Sequence, residues 1–426
     1  MYKVVIIGGG WAGCAAAVTA RKAGAQVCIL EKTDMLLGLG NVGGIMRNNG
    51  RYTATEENIA LGAGELFEIT DRLARHVNLE FPGHHHASLY DVTRIEAYVR
   101  RFLVEIGVEV KLMSRAVDVE MDGCVMTSVI LADGSKIESD VFMEGTGSTG
   151  PMGNCLAYGN GCSMCVLRCP AFGPRVSITQ KAGKTDIMGR RKDGGFGAFS
   201  GSCKLDKHSL SEELQEILNQ EGVAVIPLES KDINKGKLDL KVCQQYALDE
   251  YAENIILLDT GHAKLMTPFF PLEQLREIEG FENVRYIDPY AGGKGNSIRY
   301  LSIAERDNGM KVKDIDNLLC AGEKSGLFVG HTEAITTGSL AGHNCARYLK
   351  GIKLLELPSS LATGDLIAYA NEQIDTEEGM MDRYTFAGAD YFKRMKELGL
   401  YSIDHEVIEN RVKKIGLDQV YSQKII

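Results

Sequence analysis

Long apolar runs are missing from this chain of 426 residues. None reaches the ~18 residues that a membrane-spanning helix requires, so no such helix is expected. Proline is scarce, at 9 residues against 48 glycines, and the glycines follow no G-X-Y period, which excludes collagen. An excess of positive charge is also missing. The net charge of -10 argues against a broad nonspecific nucleic-acid surface and leaves room only for a local basic groove. Met1 to Gly10 carries no basic stretch before an apolar core and no small-residue cleavage site. That segment reads as a first strand and not as a signal peptide, so the expectation is a cytoplasmic protein with reduced thiols. Eleven cysteines, an odd count, argue against a complete disulfide framework. Apolar residues at 44% and charged residues at 24% are ordinary for a globular protein and exclude a disordered chain or a coiled coil. At ~150 residues per domain the length suggests about two or three domains.

What is present is glycine in a particular order. Val4-Val5-Ile6-Ile7 is an apolar run suited to a parallel strand buried on both faces. Gly8-Gly9-Gly10-Trp11-Ala12-Gly13 follows, then a small-residue helix from Cys14, a second strand from Gln26 to Leu30, and Glu31. This is G-x-G-x-x-G in strand–turn–helix–strand context with an acid after the second strand, the arrangement that binds a dinucleotide. Gly8 permits the turn, Gly10 leaves room for a pyrophosphate, and Gly13 lets helix pack on strand. The helix N-terminus offers N–H groups to phosphate, and Glu31 accepts from a ribose hydroxyl. Lys32 follows, and the chain to Gly50 is again rich in glycine, including Gly38, Gly40, Gly43 and Gly44.

Further on, short strands at Ala116 to Glu120, Val125 to Leu131 and Lys136 to Ile137 are separated by Asp122-Gly123 and Asp133-Gly134, which read as hairpin turns. They lead to a strand ending in Gly145-Thr146-Gly147. A third glycine-rich segment, Cys320-Ala321-Gly322-Glu323, precedes Thr336 to Gly342 and a helix ending near Leu349. These segments together resemble the FAD-dependent oxidoreductases with a glutathione-reductase-like Rossmann domain. The resemblance implies an α/β fold and bound FAD, with adenosine at Glu31 and flavin near residues 40 to 50. It adds Lys32, Gly43, Gly44, Gly145, Thr146, Gly147, Gly322 and Glu323 to the cofactor-binding set, with Glu323 near the ribityl chain. Arg47 lies in the loop that the resemblance sets beside the isoalloxazine, where a cation stabilises a reduced flavin anion or orients an acidic substrate. A structural salt bridge is the competing reading of Arg47.

On this basis residues 1–150 form the first part of an FAD-binding domain and 290–356 the second. Residues 151–289 form an inserted α+β substrate domain, and 357–426 a helical C-terminal cap. The insertion opens with Cys155, Cys162, Cys165 and Cys169 in the spacing C-x6-C-x2-C-x3-C-P. Four thiolates on one loop suit an iron–sulfur cluster, and the last three resemble the end of a bacterial ferredoxin motif. The wider first gap departs from that motif, and Cys203 is a substitute for Cys155. Zinc bound by four cysteines and a redox dithiol at Cys162 and Cys165 are the other readings. A helix is expected over Ser209 to Glu221, capped by Ser209 or Ser211, and another over Leu240 to Glu253, with strands at Val223 to Leu228 and Ile255 to Leu258. His262, Lys264 and Arg299 are candidates for the substrate side. His84-His85-His86, after Pro82-Gly83, reads as an exposed loop, since adjacent residues on regular structure do not all face one metal.

Segments Ala321 to Leu349 and Leu357 to Tyr369 resemble the small GidA-like flavoproteins, which include the folate-dependent tRNA uridine methyltransferases. There flavin moves a one-carbon unit from methylenetetrahydrofolate to uridine, and the flavin loop offers a cysteine. Here that stretch reads Asn41-Val42-Gly43-Gly44. The primary expectation is therefore an FAD-dependent oxidoreductase, transferring a hydride or two electrons and coupled to a 4Fe-4S cluster. Arg47, Cys162 and Cys165 are its catalytic candidates, and its partner is a small-molecule or protein electron donor or acceptor. A flavin- and folate-dependent RNA uridine methyltransferase and a non-enzymatic redox-sensing flavoprotein are the alternatives. A homodimer built on the C-terminal piece is compatible with each.

Overall fold

The computed structural model describes residues 3–148, 168–199, 203–268, 270–287 and 298–426. Its strands begin with β1 (Lys3–Ile7), β2 (Gln26–Leu30), β3 (Ile45–Met46), β4 (Ala74–Phe81), β5 (His84–Tyr90) and β6 (Glu109–Lys111). There follow β7 (Ala116–Asp122), β8 (Val125–Leu131), β9 (Lys136–Glu138) and β10 (Val141–Glu144). A parallel sheet has the order Leu318–Cys320, β10, β1, β2, β6. The register sets Val4 of β1 between Val27 and Val141, all three fully or almost fully buried. Strands covered on both faces carry no polar alternation, which is why β1 reads as one apolar run.

Helix α1 (Trp11–Lys22) covers one face of this sheet with alanines. Their small side chains admit a second helix, His331–Lys350, at close range: any Cβ on Gly338 would collide with the Ala12 carbonyl oxygen. The meander β7–β8–β9 packs on the other face, with Val129 and Leu131 in the same core as Val5, Ile7 and Phe142. Both of its turns fall at the expected glycines, Gly123 and Gly134, each with positive φ.

The second layer is antiparallel, with the order Cys203–Leu205, Ala263–Leu265, Asn254–Asp259, Val223–Pro227. Alternation along Asn254–Asp259 explains its two cores. Ile255 and Leu257 pack on Leu214 and Leu218 of the helix Glu212–Glu221. Ile256 and Leu258 face Ile45, Phe81 and Leu89 from β3, β4 and β5. The sheet of β3, β5 and β4 from the first third of the chain thus packs against this antiparallel layer. Ser211 caps the helix, its hydroxyl accepting from the Leu214 amide. The helix expected over 240–253 does not form. The segment runs through tight turns at Lys235–Leu240 and Gln244–Tyr246 before one turn of helix at Glu250–Glu253. Lys241, Val242, Gln245 and Tyr246 are all buried there, and their separate tertiary partners override helix propensity.

The C-terminal piece is helical, at Ala362–Gln373, Ala389–Glu397 and His405–Lys414. The buried Glu57 carboxylate accepts from the Ala362 and Thr363 amides, which fixes the first of these helices to the core. The amides of Ile425 and Ile426 donate to the Ala23 carbonyl, returning the chain to α1. The whole is a mixed α/β architecture, and no helix among the described residues is long and apolar enough to cross a membrane.

Candidate functional site

Parallel strands deliver their C-terminal ends to one rim, and there a cavity of about 490 Å³ opens against the antiparallel layer. That rim is where open α/β sheets hold ligands. Gly8, Gly10, Glu31, Lys32, Gly43, Gly145, Thr146, Gly147, Gly322 and Glu323 all line it. Four stretches, the outermost residues 315 apart in sequence, therefore meet in one place, because each follows a neighbouring strand or the loop beyond it.

At one end the wall is mostly main chain. Gly8 has φ +102°, and a Cβ there would press on the Gly145 carbonyl. Gly13 lies behind the cavity, with no room for a Cβ against the Gly8 carbonyl oxygen, so α1 starts close to β1. Gly10 faces open space. Helix α1 has no side-chain cap and no acid in its first turn, which leaves its positive end for an anion. Glu31 is held by the amides of Gly9 and Thr33, each at 2.9 Å. The turn at Thr146 is pinned from beneath. Its carbonyl accepts from Arg175 at 3.1 Å, and its hydroxyl donates to the buried Glu144 at 2.7 Å. Burial works against ionisation of Glu144, but Lys324 and Arg175 outweigh it and hold its pKa below the ordinary carboxylate value. Ser148 donates to Glu323 at 2.6 Å.

The middle of the cavity is bounded by the turn Gly40–Gly43 and by the N-terminus of the helix His331–Lys350, again without a side-chain cap. Gly43 lies so close to the His331 ring that no side chain fits between them, and Gly44 completes the turn with φ +76°. The Tyr90 hydroxyl donates to the Gly40 carbonyl at 2.6 Å and lies 3.2 Å from His331 Nδ1. Trp11 packs edge-on against Tyr90 at 6.0 Å. It is 3% exposed, it lines the cavity, and its Nε1–H has no hydrogen-bond partner among the described residues. A buried indole N–H is normally paired, so this one fits a donor awaiting a ligand acceptor. An uncapped pair of helix ends, a bare glycine turn and an orphaned donor together fit a flat dinucleotide cofactor.

The far end is built from side chains. Lys264 donates to the Val42 carbonyl at 2.7 Å, and Cys243, Gln245, Tyr246 and Arg51 complete the wall. Arg51 is buried and paired with Glu333 at 3.1 Å, with Asn48 Oδ1 and the Val329 carbonyl as further acceptors. Asn48 donates to His84 Nδ1 at 2.9 Å, and His84 Nε2 lies 3.0 Å from the Gln245 carbonyl, which fixes the Nε2–H tautomer. Burial lowers the His84 pKa to about 3.

Other expected site residues lie away from the cavity or outside the described residues. Arg47 does not line the cavity: its guanidinium is shared between Glu56 and Asp71, the latter at 2.6 Å, so its charge is already spent. The histidine triplet is no exposed loop. It opens β5, and His84 is 1% exposed. Cys155, Cys162 and Cys165 lie outside the described residues. Cys169 begins the short helix Cys169–Phe172 as a half-buried free thiol, and Cys203 is buried on a strand. Among the described residues no group of three or more His, Cys, Asp or Glu side chains is placed to hold a metal ion. Lys264 reaches the cavity, His262 does not, and Arg299 lies on a two-residue strand opposite Ala198. Trp11, Arg51, Cys243, Gln245 and His331 were not singled out by sequence. Only Trp11 carried a local signal, as an aromatic residue inside the glycine motif.

The sequence matches the family described as "GIDA: Glucose inhibited division protein A" over residues 3–267 and 260–353. The structure is similar to that of Aquifex aeolicus GidA in its form II crystal, with a TM-score of 0.61 and 17% identity over 97% of this chain and 76% of that one. The form I crystal of the same protein gives a TM-score of 0.59 and 16% identity over 97% of this chain and 78% of that one. At this identity the likeness shows a shared fold. No curated protein matches the chain.

Proposed function

The chain belongs to the Glucose inhibited division protein A family, and from that premise we propose that it is an FAD-dependent oxidoreductase. The observation that carries this reading is the cavity itself. Three glycine turns and two uncapped helix N-termini converge on it, with the Trp11 N–H unpaired among the described residues in its wall. Glu31 would take the adenosine ribose, the α1 N-terminus the pyrophosphate, and Gly43, His331 and Trp11 the ring end. FAD, when bound, supplies a ring that exchanges electron pairs with one partner and single electrons with another. The protein excludes water from one face with Tyr90 and Trp11 and presents Lys264 and Gln245 on the other side of the cavity. An iron–sulfur relay is not part of this proposal, because three of its four cysteines lie outside the described residues.

One observation favours a second reading, the flavin- and folate-dependent RNA uridine methyltransferase. The loop Asn41–Gly44 has no cysteine, but Cys243 brings a thiol to the same cavity from the antiparallel layer. Anaerobic purification separates the two. The oxidoreductase reading expects releasable FAD whose absorption is bleached by a reduced donor and restored by an electron acceptor. Flavin that exchanges no electrons with donors or acceptors, yet shifts its spectrum on adding methylenetetrahydrofolate, supports the second reading instead.

A further inference from the structure

Lysines gather at the far end of the cavity. Lys264 is 5% exposed and lines the cavity, and its one hydrogen bond goes to the neutral Val42 carbonyl. Among the described residues no carboxylate pairs with it. Lys204 stands directly opposite it in the antiparallel register and lines the cavity too. A second buried lysine, Lys241, donates to the Met266 carbonyl and likewise has no acid partner among the described residues. The carboxylates that line the cavity, Glu31 and Glu323, belong to the nucleotide end. Gln245 adds a buried side chain to the same wall. A buried amine without a counter-charge is costly and is kept where a ligand brings that charge.

We propose that Lys264, with Lys204 beside it and the Gln245 amide N–H to orient the group, forms a subsite for an oxyanion of the substrate, a carboxylate or a phosphate. The inference rests on the flavin reading for its position, since it makes this wall the substrate side of the cavity. It also sets a proton balance. Burial, helped by Lys204 and Lys241, brings the Lys264 pKa down to about 7, against the opposite pull of the Cys243 and Cys203 thiols. Near neutral pH the empty site is only partly protonated, and an arriving oxyanion draws a proton onto Lys264. Oxyanion affinity therefore falls as pH rises above about 7.

The test titrates oxidised, FAD-loaded protein with benzoate, inorganic phosphate and neutral benzamide, read by the flavin absorption spectrum. Benzoate or phosphate should saturate, with benzamide about tenfold weaker or more. Whichever anion is the tighter names the group. Lys264→Met should weaken the anion about tenfold and flatten its pH dependence, whereas Lys264→Arg should keep binding within about threefold. Equal binding of benzoate and benzamide, or an unchanged anion titration in Lys264→Met, overturns the proposal. If Lys264→Met does not fold, the unaltered protein decides, and anion affinity that does not fall from pH 6 to 9 overturns it. Protein that takes up no FAD defeats the flavin reading alone. The oxyanion site is then read by calorimetric titration of the FAD-free protein with the same three probes, and equal heats for benzoate and benzamide overturn it.

Discussion

The two ends of the cavity are made of different material. The nucleotide end is mostly main chain: glycine turns, helix ends and two acids, gathered at the tips of parallel strands. The far end is side chain: Lys264, Gln245, Cys243 and Arg51, brought together by an antiparallel strand, an irregular loop and the helix Gly50–Ala60. Main chain recognises what every dinucleotide shares, a pyrophosphate and a flat ring, and it tolerates little change. Side chains recognise what one substrate has and another lacks. The first end therefore places the protein in a broad class of folds, and the second sets its specificity.

Four experiments would break or sharpen that contrast. The largest effect is expected at the far end. Arg51→Ala leaves Glu333 buried without its cation and should cost about 3–5 kcal/mol, read as a lowered melting temperature. A loss below about 1 kcal/mol would show that the pair does not support the wall. Next, Gly13→Val forces a side chain into the Gly8 carbonyl and should cost about 3 kcal/mol, with no FAD retained through gel filtration. Retained FAD would mean that α1 does not set the turn. Third, Glu31→Ala frees the Gly9 and Thr33 amides and should weaken FAD by about 10- to 100-fold, while benzoate binding to FAD-saturated protein stays unchanged. An equal loss of both would deny that the two ends act separately.

The smallest effect is a pH slope. His84 is neutral when folded, with its pKa lowered from 6.5 to about 3 by burial, so unfolded chains bind the extra proton first. Stability from this group is complete above pH 6.5 and is lost as pH falls from there toward 3. The loss is at most about 1.4 kcal/mol per pH unit. Urea midpoints between pH 7 and 5 should fall less steeply in His84→Gln than in the unaltered protein. Parallel slopes would place His84 in solvent.

The same contrast explains what could be read in advance. The unit β1–α1–β2 lies within 30 residues, and its apolar run, glycine triplet and terminal acid are contiguous, so its chemistry is local. The hairpin turns at Gly123 and Gly134 and the cap at Ser211 are local too. Lys264 meets Val42 across 222 residues, and nothing near either residue announces the other. Arg47 and Arg51 are one helical turn apart in number, and only the placement of Glu56, Asp71 and Glu333 decides which of them reaches the cavity. The segment 240–253 reads as helix because its apolar spacing allows one, and the tertiary partners of Lys241, Val242, Gln245 and Tyr246 chose otherwise. His84 shows the same limit: its burial depends on the Gln245 carbonyl, supplied 161 residues later.

Trp11 is the only tryptophan in the chain and stands in the wall of the cavity. Titrating FAD-free protein with FAD while following tryptophan emission therefore reads the central claim directly. The account expects saturable quenching that ends at one FAD per chain, together with the visible absorption of bound flavin. Emission that stays unchanged while the protein remains folded and colourless would contradict it.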